Sequence, residues 1–274
     1  PLVRGRRDCH GAARAKRRSQ HGEQQRQTTI PHVVTIGRAP ARQLKLDQAL
    51  GTRERCYPAS RTTRKDERVK AIFFMRHGGP EVLQYGDVSD PQPGRGELLV
   101  DVHAASVNAA DTKLRAGGYG AVSQLPCVPG RDFSGVVAAL GDGVTGLQVG
   151  DAVFGVCDRG QEGAYAERLA IKAAIVARKP DELSHAQCAA LALAGLTALI
   201  SIEDTLALAP GERVLIQGGA GGVAGFAIQI ARHLGARVIT TASAPNHDYV
   251  RQLGADEVID YRTEDFTQKL AGLD

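Results

Sequence analysis

The sequence predicts an α/β plus all-β chain with two architectures in series. An irregular all-β unit, folded as a small β-barrel, is expected over residues 69–190, followed over residues 191–274 by the first half of a doubly wound parallel sheet. Three observations carry this reading. Strand-like segments run from Val69 to about Ala174, and nine glycines crowd residues 130–163, a density that tight turns need and helices do not tolerate. After Pro180 the pattern becomes Ala- and Leu-rich at helical spacing. From Gly211 onward strand, helix, strand, helix and strand alternate, which is one half of a doubly wound sheet.

Residues 1–68 precede all of this. They carry 17 Lys and Arg against 6 Asp and Glu, a net +11, and show no sustained helix or strand period, so they read as a disordered basic leader. Three origins stay open: a functional basic tail, an Arg-rich transit peptide, and upstream sequence translated from a misplaced start. The third is favoured. Regular structure begins abruptly at Val69-Lys-Ala-Ile-Phe-Phe74, Val is how an internal GUG codon is read, and a transit peptide should hold more serine than Ser19 and Ser60. The leader is therefore expected to be non-native.

Residues 69–274 carry 17 Lys and Arg against 24 Asp and Glu, a net −7, so the basic balance belongs to the leader alone. An acidic body offers no footprint for phosphate backbones, which argues against a nucleic-acid partner. Cys9, Cys56, Cys127, Cys157 and Cys188 form no C-x-x-C pair and no zinc spacing, as in a reduced cytoplasmic protein. The most apolar run, residues 188–200, is too short to span a bilayer, so no membrane segment is expected.

In the all-β unit, strands are expected at 69–74, 98–107, 135–139, 151–155 and 164–171, with Pro91, Pro93, Gly94 and Gly96 punctuating the turn before the longest. Residues 183–206 read as a core helix pair that starts after a Ser184 N-cap. A buried strand follows at 213–217, then a glycine-rich turn. The next helix has apolar positions Val223, Phe226, Ala227, Ile230, Ala231 and Leu234 on one face and ends at Gly235. Strands at 237–241 and 257–261 flank a short helix that begins near Ser243-Ala-Pro-Asn246 and runs to Leu253.

The turn Gly219-Ala220-Gly221-Gly222-Val223-Ala224 fits G-x-G-x-x-A between an apolar strand and an amphipathic helix. The first glycine would make the tight turn and the second would let backbone approach a pyrophosphate. The third small residue would pack helix on strand, leaving the helix N-terminus facing the phosphates. An NAD site places an acid at the end of the second strand for the ribose hydroxyls, whereas Thr240-Thr-Ala-Ser243 has none. Small hydroxyl residues leave room for a 2′-phosphate, with His247, Arg251 and Arg262 nearby as donors, so NADPH is the expected cofactor. His247 and Arg251 also read as a solvated helix face, and Ser243 as an N-cap.

With Ser106-Val-Asn-Ala-Ala-Asp111, Gly130-Arg-Asp-Phe-Ser-Gly135, Ala194-Gly-Leu-Thr197 and the glycine turn in this order, residues 69–274 resemble the medium-chain dehydrogenase/reductase superfamily, most closely its zinc-free quinone oxidoreductase (zeta-crystallin-like) branch. The resemblance implies a GroES-like substrate domain and a Rossmann domain with the active site between them, and a homodimer for the complete protein. Zinc-dependent members carry Gly-His-Glu where this chain has Gly130-Arg131-Asp132, so no metal is expected, and Cys127 and Cys157 read as packed thiols. By resemblance Asn108 would face the nicotinamide and the substrate carbonyl, Asp111 would brace the motif, and Tyr119 would line the pocket. Lys113 stands where some relatives have a second pocket tyrosine. Thr197 would contact the nicotinamide side, and Ser243, His247, Tyr261 and Arg262 would lie near the adenosine phosphate. The doubly wound fold would need further strands beyond Asp274, so the chain is expected to be truncated at its C-terminus.

These features imply hydride transfer from NADPH to a quinone or α,β-unsaturated carbonyl. Asn108 would donate a hydrogen bond to the developing oxyanion, and Tyr119 or water would supply the proton. Asn108 also reads as a turn-capping side chain. A short-chain dehydrogenase would need Tyr and Lys four residues apart, a spacing absent here. A non-catalytic NADPH-binding sensor or crystallin-like structural protein is the alternative.

Overall fold

The structure, a computed structural model, describes residues 33–34, 68–120, 122, 124–158 and 160–271. The leader expected to be disordered lies outside the described residues, apart from Arg68 and the two-residue strand β1 (Val33–Val34).

The all-β half holds two sheets. β2 (Arg68–Phe73) and β3 (Gln84–Ser89) form an antiparallel hairpin. The larger sheet contains β4 (Glu97–Ser106), β5 (Asp132–Leu140), β6 (Ala152–Val156), β7 (Arg168–Lys172) and β8 (Val176–Arg178). Its order is β1-β4-β5-β6-β8, antiparallel throughout, and β7 pairs with the first half of β4 while β1 pairs with its last two residues. Leu98, Val100, Phe133, Val137, Val153 and Ile171 fill its core at no more than 1% exposure, each burial being worth about 1.5–3 kcal/mol.

The expected barrel does not form: among the described residues no sheet closes on itself. The β2–β3 hairpin meets the rest of this half through single bridges, Ala71 to Ala166 and Phe74 to Cys127, too little for a continuous ladder. β4 carries register shifts at Leu99/Val100 and Val102/Ala104 that bend the open sheet. The glycine density that suggested closure serves turns and a close crossing instead. Gly143, Gly146 and Gly150 take left-handed backbone between β5 and β6, and a Cβ on Gly135 would run into Asp101 O on β4. Three further elements were not expected: β3, β8, and the short helix α1 (Ala109–Arg115).

The connecting helix also departs from expectation. α2 (His185–Leu199) continues without a break as a π-helix (Ile200–Thr205), so 21 residues form one rod instead of a helix pair. Ser184 caps it as expected, its Oγ accepting from Gln187 N at 3.2 Å. By length and composition this is the one helix among the described residues long and apolar enough to cross a membrane, because the helix does not stop at Ile200 where the apolar run does. Its small-residue face, Cys188, Ala189, Ala192, Gly195 and Ala198, packs against β4, β5, β6 and the helix that follows the glycine turn. His185 Nδ1 sits 2.8 Å from Ser134 Oγ and ties the first turn to β5.

The α/β half follows the predicted alternation: β9 (Arg213–Ile216), α3 (Gly222–His233), β10 (Arg237–Thr241), α4 (His247–Gln252) and β11 (Glu257–Ile259), after which comes an unexpected short helix, α5 (Phe266–Lys269). The strands are parallel in the order β11-β10-β9. The buried face of α3 is Gly225, Ala227, Ile228 and Ala231. Val223, expected in that stripe, is 41% exposed because it lies in the first turn, whereas Ile228 is fully buried.

Candidate active site

β4 ends at Ser106, and the chain passes through Val107 to Asn108, the extended N-cap of α1. Asn108 N donates to Asp111 Oδ2 at 2.8 Å, and Asp111 N donates back to Asn108 O at 3.0 Å. This reciprocal pair starts the helix. Beneath it lies a polar network that joins α1 to β4, β5 and the segment just before β7. Asn108 Nδ2 donates to Ser106 Oγ at 3.2 Å and to Asp132 Oδ2 at 3.1 Å. Ser106 N donates to Asp132 Oδ1 at 3.1 Å, and the Ser106 hydroxyl lies 2.8 Å from both Asp132 oxygens. Tyr165 OH donates to Asp111 Oδ2 at 2.8 Å and lies 3.2 Å from Ser106 O.

Both carboxyls are buried, Asp132 completely. Burial pushes the Asp132 carboxyl up to about 6 despite the donors from Ser106 and Asn108, and burial also raises Asp111. The Tyr165 hydroxyl is raised by burial and by Asp111. Asn108 and Asp111 are thus brought together as expected, and Asn108 Nδ2 faces Ser106 Oγ and Asp132 Oδ2, which lie together on one side of the amide. Asp132 and Ser106 stood within recognised motifs without an assigned role. Tyr165 carried no signal, its partners being 54 and 59 residues away.

Tyr119 lies 46% exposed just after α1 and lines a cavity of about 150 Å³ with Ala110, Asp111, Leu114, Arg131 and Glu162. Arg131, in its lining, is held in place: Nε and Nη2 donate to Cys157 O at 3.0 and 2.7 Å, while Cys157 N donates to Arg131 O at 2.6 Å. Burial pushes the Cys127 thiol up to about 11 and raises Cys157 further, which keeps both as protonated packed groups.

The second cluster surrounds the glycine turn. Gly218 takes the left-handed conformation (φ +68°), one residue before the glycine expected to make the turn. Gly218 N and Gly219 N donate to Thr241 Oγ1 and Thr241 O, both at 2.9 Å, tying the turn to the end of β10. A Cβ on Gly219 would drive into Thr240 Oγ1 and come within 3.0 Å of Ile228 Cδ1. The close helix packing expected at Ala224 belongs to Gly225, where a Cβ would meet Leu253 Cδ1 at 3.3 Å. The N-cap Gly221 has no side chain to offer, so the amides of Gly222, Val223 and Ala224 have no protein acceptor among the described residues. Such a cradle, at the positive end of a 12-residue helix, fits a pyrophosphate.

Ser243, His247, Tyr261 and Arg262 gather beyond the C-terminal ends of β10 and β11. Ser243 Oγ accepts from Asn246 Nδ2 at 3.1 Å, and His247 Nε2 lies 3.1 Å from Ala242 O. The Arg262 guanidinium stands 5.9 Å from the centre of the exposed Tyr261 ring. Asp260, just after β11, spends Oδ2 on Ala244 N (3.2 Å) and Oδ1 on Arg262 N (3.0 Å). Thr197 is exposed on α2, its hydroxyl donating back to Leu193 O at 2.7 Å, and no hydrogen bond among the described residues joins it to either cluster. Among the described residues no group of three or more His, Cys, Asp or Glu side chains is placed to hold a metal ion.

Comparison with known proteins decides the family. Residues 94–181 match the alcohol dehydrogenase GroES-like domain and residues 222–273 match the zinc-binding dehydrogenase family. The quinone oxidoreductase of Sus scrofa is 36% identical over 204 residues, covering 74% of this chain and 61% of that protein. The chain belongs to the medium-chain dehydrogenase/reductase superfamily, in its zinc-independent quinone oxidoreductase branch. The 2-methylene-furan-3-one reductase of Solanum lycopersicum is 38% identical over 208 residues, with 72% and 53% covered. Among solved structures, the Coxiella burnetii quinone oxidoreductase superposes with a TM-score of 0.70 at 40% identity, over 74% of this chain and 65% of that one. The Escherichia coli quinone oxidoreductase complexed with NADPH gives 0.68 at 35% identity, over 73% and 61%. The chain spans 53–61% of the length of these two curated relatives.

Proposed function

We propose that this protein is a zinc-independent, NADPH-dependent oxidoreductase that transfers a hydride to a small quinone or α,β-unsaturated carbonyl. Residues 69–190 serve the substrate and residues 191–274 the cofactor. The observation that carries the reading is the glycine turn: a strand-to-helix cradle with three vacant amides, beside a strand end that offers no acid to a ribose. The relatives named as quinone oxidoreductases, one of them solved with NADPH, support it.

NADPH, when bound, supplies the hydride. The turn from Gly218 to Gly222 and the amides through Ala224 hold the pyrophosphate. Ser243, His247, Tyr261 and Arg262 hold the end carrying the 2′-phosphate, and Thr197 meets the nicotinamide side. Asp260 does not compete for the ribose, because both its oxygens are engaged by backbone amides. The cavity beside Tyr119 holds the substrate, and a volume of about 150 Å³ is of the order that admits one benzene-sized ring. Asn108 organises the floor of that site through Asp111 and Asp132, and Tyr119 or water returns the proton. The complete protein acts as a cytoplasmic homodimer, which sedimentation of the full-length protein would check.

The test is NADPH oxidation by the full-length protein on adding 1,4-benzoquinone or methyl vinyl ketone. Turnover is expected, with NADPH bound at least about tenfold more tightly than NADH. Equal affinities would sink the cofactor assignment, and tight NADPH binding without turnover would favour a sensor or structural protein.

A further inference from the structure

Arg131 is a cation in an unusual position. Its guanidinium is partly buried, and no carboxylate of the described residues forms an ion pair with it. One edge of the fork, Nε and Nη2, is fixed on Cys157 O, and the reverse bond from Cys157 N to Arg131 O holds the backbone in place. A charge withdrawn from water without a counter-ion is costly unless something else neutralises it. Arg131 is also the only cationic side chain among those lining the cavity beside Tyr119. Of the two acids there, Asp111 accepts on Oδ2 from Asn108 N and Tyr165 OH while its buried Oδ1 has no hydrogen-bond partner among the described residues, and Glu162 Oε2 accepts from Gly160 N at 2.9 Å. Nη1 has no partner among the described residues.

We infer that Arg131 is the oxyanion-binding group of the cavity, receiving on its free guanidinium edge the oxygen of a phenolate-like or enolate-like ligand. The inference rests on the proposed hydride transfer and deepens it, because Asn108 Nδ2 already donates to Ser106 Oγ and Asp132 Oδ2, whereas Arg131 Nη1 has no partner among the described residues. During reduction the hydride forms a C–H bond at the electron-poor carbon of the substrate. The displaced π pair moves through the conjugated system onto the carbonyl oxygen, the cofactor leaves as NADP⁺, and the oxygen develops a full negative charge. A fixed, partly desolvated guanidinium meets that charge with no reorganisation, then releases the product once a proton arrives from water. Being pinned on Cys157 O makes the group preorganised, which a lysine on a flexible stem would not be.

The probe is 4-nitrophenol, a one-ring product mimic whose phenolate absorbs visibly, and 4-nitroanisole is its uncharged counterpart. Both are titrated into the full-length protein with and without NADP⁺. Wild type is expected to bind the phenolate about tenfold or more tightly than the ether and to move the ionisation of the bound phenol to lower pH. Arg131→Gln and Arg131→Met should lose both effects while their melting temperatures report whether they fold. Arg131→Lys should recover part of the preference. A purely structural pin on Cys157 O would change melting without moving the phenol ionisation. The inference is overturned if wild type shows no preference for the phenolate, or if a folded variant without the charge keeps it. Failure of quinone-dependent NADPH oxidation with the phenolate preference intact would instead sink the reductase reading and leave the binding site standing.

Discussion

The two clusters are built from opposite materials. Around Asn108 the site is made of side chains: two buried carboxyls, a serine, a tyrosine and an amide, each holding another. Around Gly218–Ala224 it is made of backbone and of missing side chains, with amides left open and Gly219 a position where a Cβ would collide. A side-chain network stores desolvation cost that its hydrogen bonds must offset, so its condition depends on protonation. A backbone cradle carries no titrating group and depends on shape alone. The first should therefore respond to pH and to isosteric changes, and the second to volume.

The sharpest break of that contrast is Gly219→Val. Its Cβ has nowhere to go but into Thr240 Oγ1 and Ile228, so a loss of about 3 kcal/mol in urea unfolding is expected, along with NADPH binding. If the variant keeps wild-type stability, the turn is not shape-limited and the comparison fails on that side.

Asp132→Asn tests the other side, and here the sign matters. Burial raises the folded-state value of this carboxyl from 3.8 to about 6. The protonated form is the favoured one in the folded protein, so its contribution is fully present below about pH 3.8 and is lost as pH rises through about 6. The amide cannot ionise. The variant should be less stable than wild type near pH 4 by about 1–3 kcal/mol, because its NH₂ opposes Asn108 Nδ2. That deficit should narrow by up to about 3 kcal/mol near pH 7, as wild type alone takes on a buried charge. Urea titrations at the two pH values decide it. A deficit that widens with pH would mean that the donors from Ser106 and Asn108 outweigh burial.

The same division explains what could be read from the sequence. The glycine turn was legible because the lack of a side chain between an apolar strand and an amphipathic helix is a local pattern, and β9, α3, β10 and β11 followed with it. Even there the left-handed residue is Gly218, just before the Gly219/Gly221 pair that satisfies the pattern, because the hydrogen bonds to Thr241 tie the turn at Gly218 and Gly219. The network was not legible in the same way. Asn108 and Asp111 were found through a short motif, but the direction of the Asn108 amide is set by Asp132, 24 residues away, and Asp111 is held by Tyr165, 54 residues away. Sheet closure failed for a related reason. Glycine frequency reports turns and close crossings, whereas closure depends on whether β2 forms a ladder with the segment before β7, which here is a single bridge.

The smallest expected effect probes the exposed rim where backbone and side chain share the work. Arg262 stacks near Tyr261 on the surface, and its backbone N, not its guanidinium, is the part tied to Asp260. Arg262→Ala should therefore leave unfolding unchanged. If the guanidinium meets the 2′-phosphate, NADPH affinity should fall about fivefold in fluorescence titration at low salt, less at high salt, with NADH affinity unaltered. Equal losses for both nucleotides would place Arg262 on a part of the cofactor they have in common. A loss of stability instead would make the rim an extension of the side-chain network, and the division between the two clusters would have to be redrawn at Asp260.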